Sequence, residues 1–105
     1  MNKSEFGPLH PGEVLLEEYL KPEGISQNAL ALHMRVPAQR ISEIVQGNRS
    51  ITADTAIRLA KVIGTTPEFW LGLQMDFDLE VAHQTHSFDD VPESTAKTLK
   101  HQFNN

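Results

Sequence analysis

Residues 27–47, QNALALHMRVPAQRISEIVQG, constrain the fold more than any other stretch, because their apolar side chains fall into two short helical runs only a few residues apart. Leu30, Ala31 and Met34 share one face of the first run, Val36 follows the break, and Ile41 and Ile44 give the second run an inward stripe. Two helices must therefore meet at a sharp turn, with the polar side chains of the second directed outward. Ala31 falls where the helix axes cross closely, and its small side chain permits the approach. The turn carries Arg35, although a left-handed turn residue is most readily supplied by glycine. A non-glycine residue in the left-handed region costs roughly 1 kcal/mol, so the sequence implies either tolerated strain or a slightly different turn.

Punctuation on either side extends the helical pattern. Pro11 and Gly12 open a first helix to about Leu20, with Leu15, Leu16, Tyr19 and Leu20 on its apolar side and Glu17 spaced to pair with Lys21. Pro22 and Gly24 are expected to stop it. Ser26 is placed to cap the second helix, Pro37 starts the third where its missing N–H is harmless, and Gly47 ends that one. Beyond the loop at residues 48–51, Thr52 caps a fourth helix with Ala56, Ile57, Leu59, Ala60 and Ile63 at helical spacing, and Gly64 closes it. Thr66 and Pro67 open a fifth helix of a dozen residues or more, whose Phe69, Trp70, Leu73 and Phe77 form an aromatic-rich face. Such a face is covered either by the chain's own core or by a symmetry mate. From about Thr85 the periodicity fades into a polar, acidic tail with at most one short helix near residues 93–102.

At 105 residues the chain has room for one domain with a modest core, and dimerisation would add burial. Without cysteine it has no disulfide framework, thiolate metal site or cysteine nucleophile. No apolar run approaches membrane-spanning length, and the start MNKSEFGPLHPGE lacks the apolar core of a secretory signal, so a cytoplasmic location is expected, with no membrane partner. The net charge of −5 conceals an uneven distribution. Residues 21–63 hold six basic side chains against three acidic, a balance of +3, while the remainder holds three basic against eleven acidic. A basic patch in an acidic chain can neutralise a few phosphates, while the acidic remainder suits a basic protein partner.

The paired helices resemble the helix-turn-helix of the phage-repressor class. Over roughly residues 9–82 the chain is similar, more narrowly, to the HigA (VapI-like) antitoxins of type II toxin–antitoxin modules. The elements that carry the likeness are His10-Pro11-Gly12-Glu13, Gly47-Asn48-Arg49-Ser50-Ile51-Thr52, Ala56 with Arg58-Leu59, and Trp70-Leu71-x-Leu73-Gln74 followed by Asp78-Leu79. The resemblance implies an all-α, five-helix domain that dimerises, represses its own operon and neutralises a cognate HigB-like, RelE-type ribonuclease. Subunits of that family pair through the C-terminal helical region, which points to Phe69, Trp70, Leu73 and Phe77 as the dimer interface. The expected organisation is a DNA-binding and dimerisation domain at residues 1–84 and a tail at residues 85–105.

In such a dimer, one recognition helix per subunit enters successive major grooves, so the operator should be palindromic. On the third helix, Ala38, Gln39, Ser42, Glu43 and Gln46 face away from the Ile41 and Ile44 stripe, and Arg40 flanks it. Gln39 is the first choice of base reader, since an amide both donates and accepts, as adenine N6 and N7 require. Arg40 can fork onto guanine or clamp a phosphate, Ala38 can touch a thymine methyl, and Glu43 can accept from cytosine N4 or pair with Arg40. Gln27, Ser42, Asn48, Arg49 and Ser50 lie at helix starts and loops suited to phosphate contacts. Glu13, Glu17 and Glu18, or Asp89, Asp90 and Glu93, are acids on which a basic toxin could dock.

Two other classes compete. His83 and His86, near Asp78 and Glu80, have spacing compatible with a metal site, but no HExxH-like motif, phosphate loop or nucleophile elbow accompanies them. No enzymatic activity, metal or cofactor is expected. The alternative that keeps the DNA-binding motif is a stand-alone repressor without a toxin partner.

Overall fold

The first helix begins at a histidine cap in the computed structural model, which describes residues 7–103. His10 Nδ1 accepts the Gly12 N–H at 2.9 Å, and Pro11 takes the first turn, where it leaves no amide unpaired. This helix, α1 (residues 11–23), is α-helical at Pro11–Val14, widens to a π-helix at Leu15–Leu20 and closes as α-helix at Lys21–Glu23. Pro22 does not stop it near Leu20. A proline inside a helix lacks a donor and crowds the carbonyl four residues back, and the wider register, in which the Lys21 N–H reaches Leu16 O, relieves that crowding. Gly24, at φ 65°, ends the helix. The expected Glu17–Lys21 pair forms at 3.0 Å on the exposed side.

The next four helices follow their caps. Ser26 Oγ accepts the Ala29 N–H at 3.0 Å to open α2 (Gln27–Met34), and Pro37 is the cap residue of α3 (Ala38–Val45). Thr52 caps α4 (Ala53–Ile63), and Thr66 Oγ1 accepts the Phe69 N–H at 3.1 Å to open α5 (Pro67–Thr85). A sixth helix, α6 (Ala96–Phe103), lies in the tail slightly beyond its expected place. The described residues contain no strand, and none of their helices is long and apolar enough to cross a membrane.

Arg35 resolves in favour of strain. It is the one described non-glycine residue at positive φ, at φ 61° and ψ 44°, a left-handed residue that closes α2 as glycine would. The turn is supported from α4, where Arg58 Nη1 donates to Met34 O at 3.0 Å, meeting one of the carbonyls a helix end leaves unpaired.

The core joins Leu15 and Leu20 of α1, Leu30, Ala31 and Met34 of α2, Ile41 and Ile44 of α3, and Leu59 of α4 around Trp70. Ile57, expected on the inward stripe of α4, is instead about half exposed. Of the four α5 residues expected at a subunit interface, Trp70 is placed differently, whereas Phe69 keeps an exposed side and Leu73 and Phe77 are half-buried. Trp70 is fully buried in the chain's own core and donates from Nε1 to Thr65 Oγ1 at 2.6 Å. Leu73 packs against that core, the Phe77 ring stands edge-on to His10 at 4.8 Å, and Phe69 packs against Tyr19 and Trp70. Because α5 turns Trp70 and Leu73 inward, its outward side carries Leu71, Met75 and Leu79, all exposed.

Candidate DNA-binding face

Two strings of hydrogen bonds tie the outer surface of α3 to the loop that follows it. Gln39 Nε2 donates to Glu43 Oε2 at 3.0 Å, and Glu43 Oε1 pairs with Arg49 Nε at 2.9 Å. Gln46 Nε2 donates to Ser42 Oγ at 3.1 Å, and Asn48 Nδ2 donates to Gln46 Oε1 at 3.4 Å. Residues 39, 42, 43 and 46 recur at helical spacing, so the Ile41 and Ile44 stripe that anchors α3 in the core also fixes this polar face outward. Ala38 and Gln39 stand exposed at the start of α3, Asn48, Arg49 and Ser50 are exposed on the loop, and Gln27 is half-buried in the first turn of α2.

Arg40 is placed differently from the other expected base contacts. Its Nη1 lies 2.9 Å from Asp54 Oδ2, and Asp54 also accepts from Arg58 Nε at 3.1 Å. Glu43 consequently pairs with Arg49, not with Arg40. Hydrogen bonds from Arg58 and then from Arg40 hold the Asp54 carboxyl below the usual carboxylate range. The Arg40–Asp54–Arg58 cluster braces α3 against α4, and through Met34 O it braces the turn as well.

The loop is held from beneath by residues whose roles the sequence reading did not assign. Gln74, buried on α5, accepts the Ile51 N–H at 2.7 Å and donates from Nε2 to Asp78 Oδ1 at 2.9 Å. A glutamine at position 74, between Trp70 and Phe77 on one face, was the available signal, because a polar side chain on an apolar stripe needs a polar partner. His10 touches the same loop through a backbone hydrogen bond with Arg49. Burial pushes its imidazole below the ordinary value, against the opposing pull of Asp78, the Arg49 backbone and Glu13.

The His10 shift sets a pH dependence. As an acceptor from Gly12, Nδ1 must be unprotonated, since an imidazolium has only donors. The folded form therefore binds a proton less readily than the unfolded chain, whose histidine titrates near about 6.5. This contribution to stability is fully present above about pH 6.5 and is lost as pH falls through the lower folded value. Urea midpoints measured from about pH 7 down to about pH 5 should decline more steeply in the native chain than in His10→Asn, which keeps a capping acceptor without the titration. Parallel curves would remove His10 as the cause.

His83 and His86 are not drawn together with Asp78 and Glu80. Both rings lie near Phe88, at 5.7 and 6.4 Å, and His86 Nδ1 is 2.9 Å from Thr85 Oγ1. Among the described residues, no group of three or more His, Cys, Asp or Glu side chains is arranged to hold a metal ion.

Comparison with known proteins gives this face a context. A helix-turn-helix family model matches residues 16–70, which includes α2, the turn, α3 and α4. Virulence-associated protein I of Dichelobacter nodosus is 50% identical over 82 residues, covering 78% of this chain and 76% of that protein. Antitoxin HigA-1 of Vibrio cholerae is 43% identical over 79 residues, covering 75% of this chain and 74% of its own length. Among solved structures, the antitoxin HigA of Pseudomonas aeruginosa with the higBA promoter superposes with a TM-score of 0.79 at 37% identity, covering 83% of this chain and 97% of that one.

Proposed function

Because the chain belongs to the helix-turn-helix family, among its HigA-type antitoxins, we propose that it is a dimeric operator-binding antitoxin that represses its own operon and neutralises a RelE-type mRNA-cleaving toxin. The observation that carries the DNA-binding half is the outward polar face of α3, wired to a loop that brings Asn48, Arg49 and Ser50 alongside it. In this reading Gln39 reads a base. One Nε2 hydrogen rests on Glu43, which leaves the second hydrogen and Oε1 for adenine N7 and N6. Ala38 lies beside it for a thymine methyl, and Glu43 orients both Gln39 and Arg49. Gln27, Ser42, Asn48, Arg49 and Ser50 position the backbone, while Arg40 must first leave Asp54 to reach DNA.

Reading two half-sites of a palindrome requires a dimer. The outward side of α5, with Leu71, Met75 and Leu79, supplies the surface for it in place of the buried Trp70. The HigA relative solved with its promoter supports operator binding, and the antitoxin names of the relatives support a toxin partner. The chain's acids outside residues 21–63 suit a basic ribonuclease.

The test pairs two measurements. Fluorescence anisotropy should show tighter binding to a palindromic fragment of the chain's own promoter than to a scrambled one. The small basic protein encoded beside it should arrest growth alone and co-purify with this chain harmlessly. Operator binding beside a neighbour that neither arrests growth nor co-purifies would reduce the protein to a stand-alone repressor.

A further inference from the structure

Past α5 the chain stops packing. Residues 83–100 are all exposed, His86 is extended at φ −135° and ψ 149°, and the molecule measures 60 Å along its longest axis against 30 and 21 Å across. Yet this segment forms α6, an eight-residue helix, and carries Phe88, Val91 and Leu99 with about half or more of each side chain in solvent. Isolated helices shorter than about 12–15 residues are marginal in water, so α6 needs a surface to lie on.

The outward side of α5 has the complementary character. Leu71, Met75 and Leu79 form an exposed stripe at spacing i, i+4, i+8. The helix carries Glu68, Asp76, Asp78 and Glu80 and no Lys or Arg, whereas α6 carries Lys97 and Lys100 and no carboxylate. The acids of the tail, Asp89, Asp90 and Glu93, all precede α6.

Area decides what the tail does. The exposed parts of Leu71, Met75 and Leu79 amount to on the order of 300 Å² per chain, about half of what a stable dimer of roughly 1,200 Å² total requires from each partner. Phe88, Val91 and Leu99 add the same order of area again and close that gap. Ten residues, 86–95, join the two helices, and an extended stretch of that length spans about 33 Å, more than the roughly 28 Å of α5.

We propose that the tail is a dimerisation arm: residues 86–103 of each copy cross to the second copy and lie along its α5, with Leu99 on the apolar stripe and Lys97 and Lys100 facing its carboxylates. This rests on the dimer reading above and names the element that completes the interface.

Sedimentation equilibrium of the full chain is expected to show a dimer. Leu99→Asp, and separately the pair Lys97→Glu and Lys100→Glu, should each weaken it at least tenfold while leaving the far-ultraviolet circular dichroism of the helical body intact, since these side chains are exposed and lie outside the core. The absence of native cysteine permits a second measurement. Chains carrying Leu79→Cys mixed with chains carrying Leu99→Cys should form a disulfide-linked dimer on oxidation. A monomeric wild type overturns both the dimer reading and the arm. A wild-type dimer indifferent to the tail substitutions overturns the arm alone. An intramolecular bridge in a chain carrying both cysteines places the tail on its own α5 and overturns it, as does loss of toxin binding with dimer affinity unchanged.

Discussion

Gly12→Ala is expected to cost about 3 kcal/mol or more and to lower Tm by more than about 10 °C, measured by circular dichroism. Here glycine answers a need for space. A Cβ at Gly12 would overlap the Ile44 carbonyl oxygen and would stand 2.6 Å from the Ile44 carbonyl carbon and 3.0 Å from Val45 Cα. Those atoms are backbone at the end of α3, and Ile44 O already accepts the Gly47 N–H at 3.0 Å, so no side-chain rotation relieves the clash. The helices must separate, and α3 moves with its polar face. Gly12 also donates to His10 Nδ1, so the same displacement breaks the cap that anchors the loop. Gly72→Ala should do the opposite. Nothing lies within 4 Å of its Cβ, and alanine favours a helix interior by about 1 kcal/mol. Equal melting temperatures for Gly12→Ala and the native chain would show that α1 and α3 do not meet as closely as the geometry requires.

Most of the architecture was legible in the sequence because it is local. Ser26, Thr52 and Thr66 cap their helices, Gly24, Gly47 and Gly64 take positive φ near helix ends, and the spacing of Leu30, Ala31, Met34, Ile41 and Ile44 describes the packed pair. Periodicity was ambiguous where two faces of one helix are both apolar. In α5, Trp70 and Leu73 point one way while Leu71, Met75 and Leu79 point the other, and only packing tells the core side from the free side. Pro22 misled for another reason. A proline rule assumes α-helical register, and α1 escapes it by widening to a π-helix. Of the supports of the candidate site, Gln74 shows as a polar side chain on an apolar stripe, but the partners that Gly12, Arg58 and Gln74 meet across the chain leave no trace in local spacing.

Gln39→Ala should reduce operator affinity by about 1–3 kcal/mol per half-site and relax the preference at one symmetric pair of base positions. Arg49→Ala should instead weaken operator and random DNA alike and lower the salt slope by about one per half-site, because a phosphate contact releases a counterion whatever the sequence. Glu43 links the two, holding Gln39 through Oε2 and Arg49 through Oε1. Its removal frees both side chains, so Glu43→Ala should cost specificity and nonspecific affinity together. The double variants Gln39→Ala/Glu43→Ala and Arg49→Ala/Glu43→Ala should each lose less than the sum of their parts, since neighbours in one network couple by about 0.5–3 kcal/mol. Anisotropy titrations across a salt series, on the operator and on random sequence, separate these effects. Equal losses on both DNAs for Gln39→Ala and Arg49→Ala would sink the division of labour. Additive losses with Glu43→Ala would show that the hydrogen bonds of the free protein do not persist on DNA.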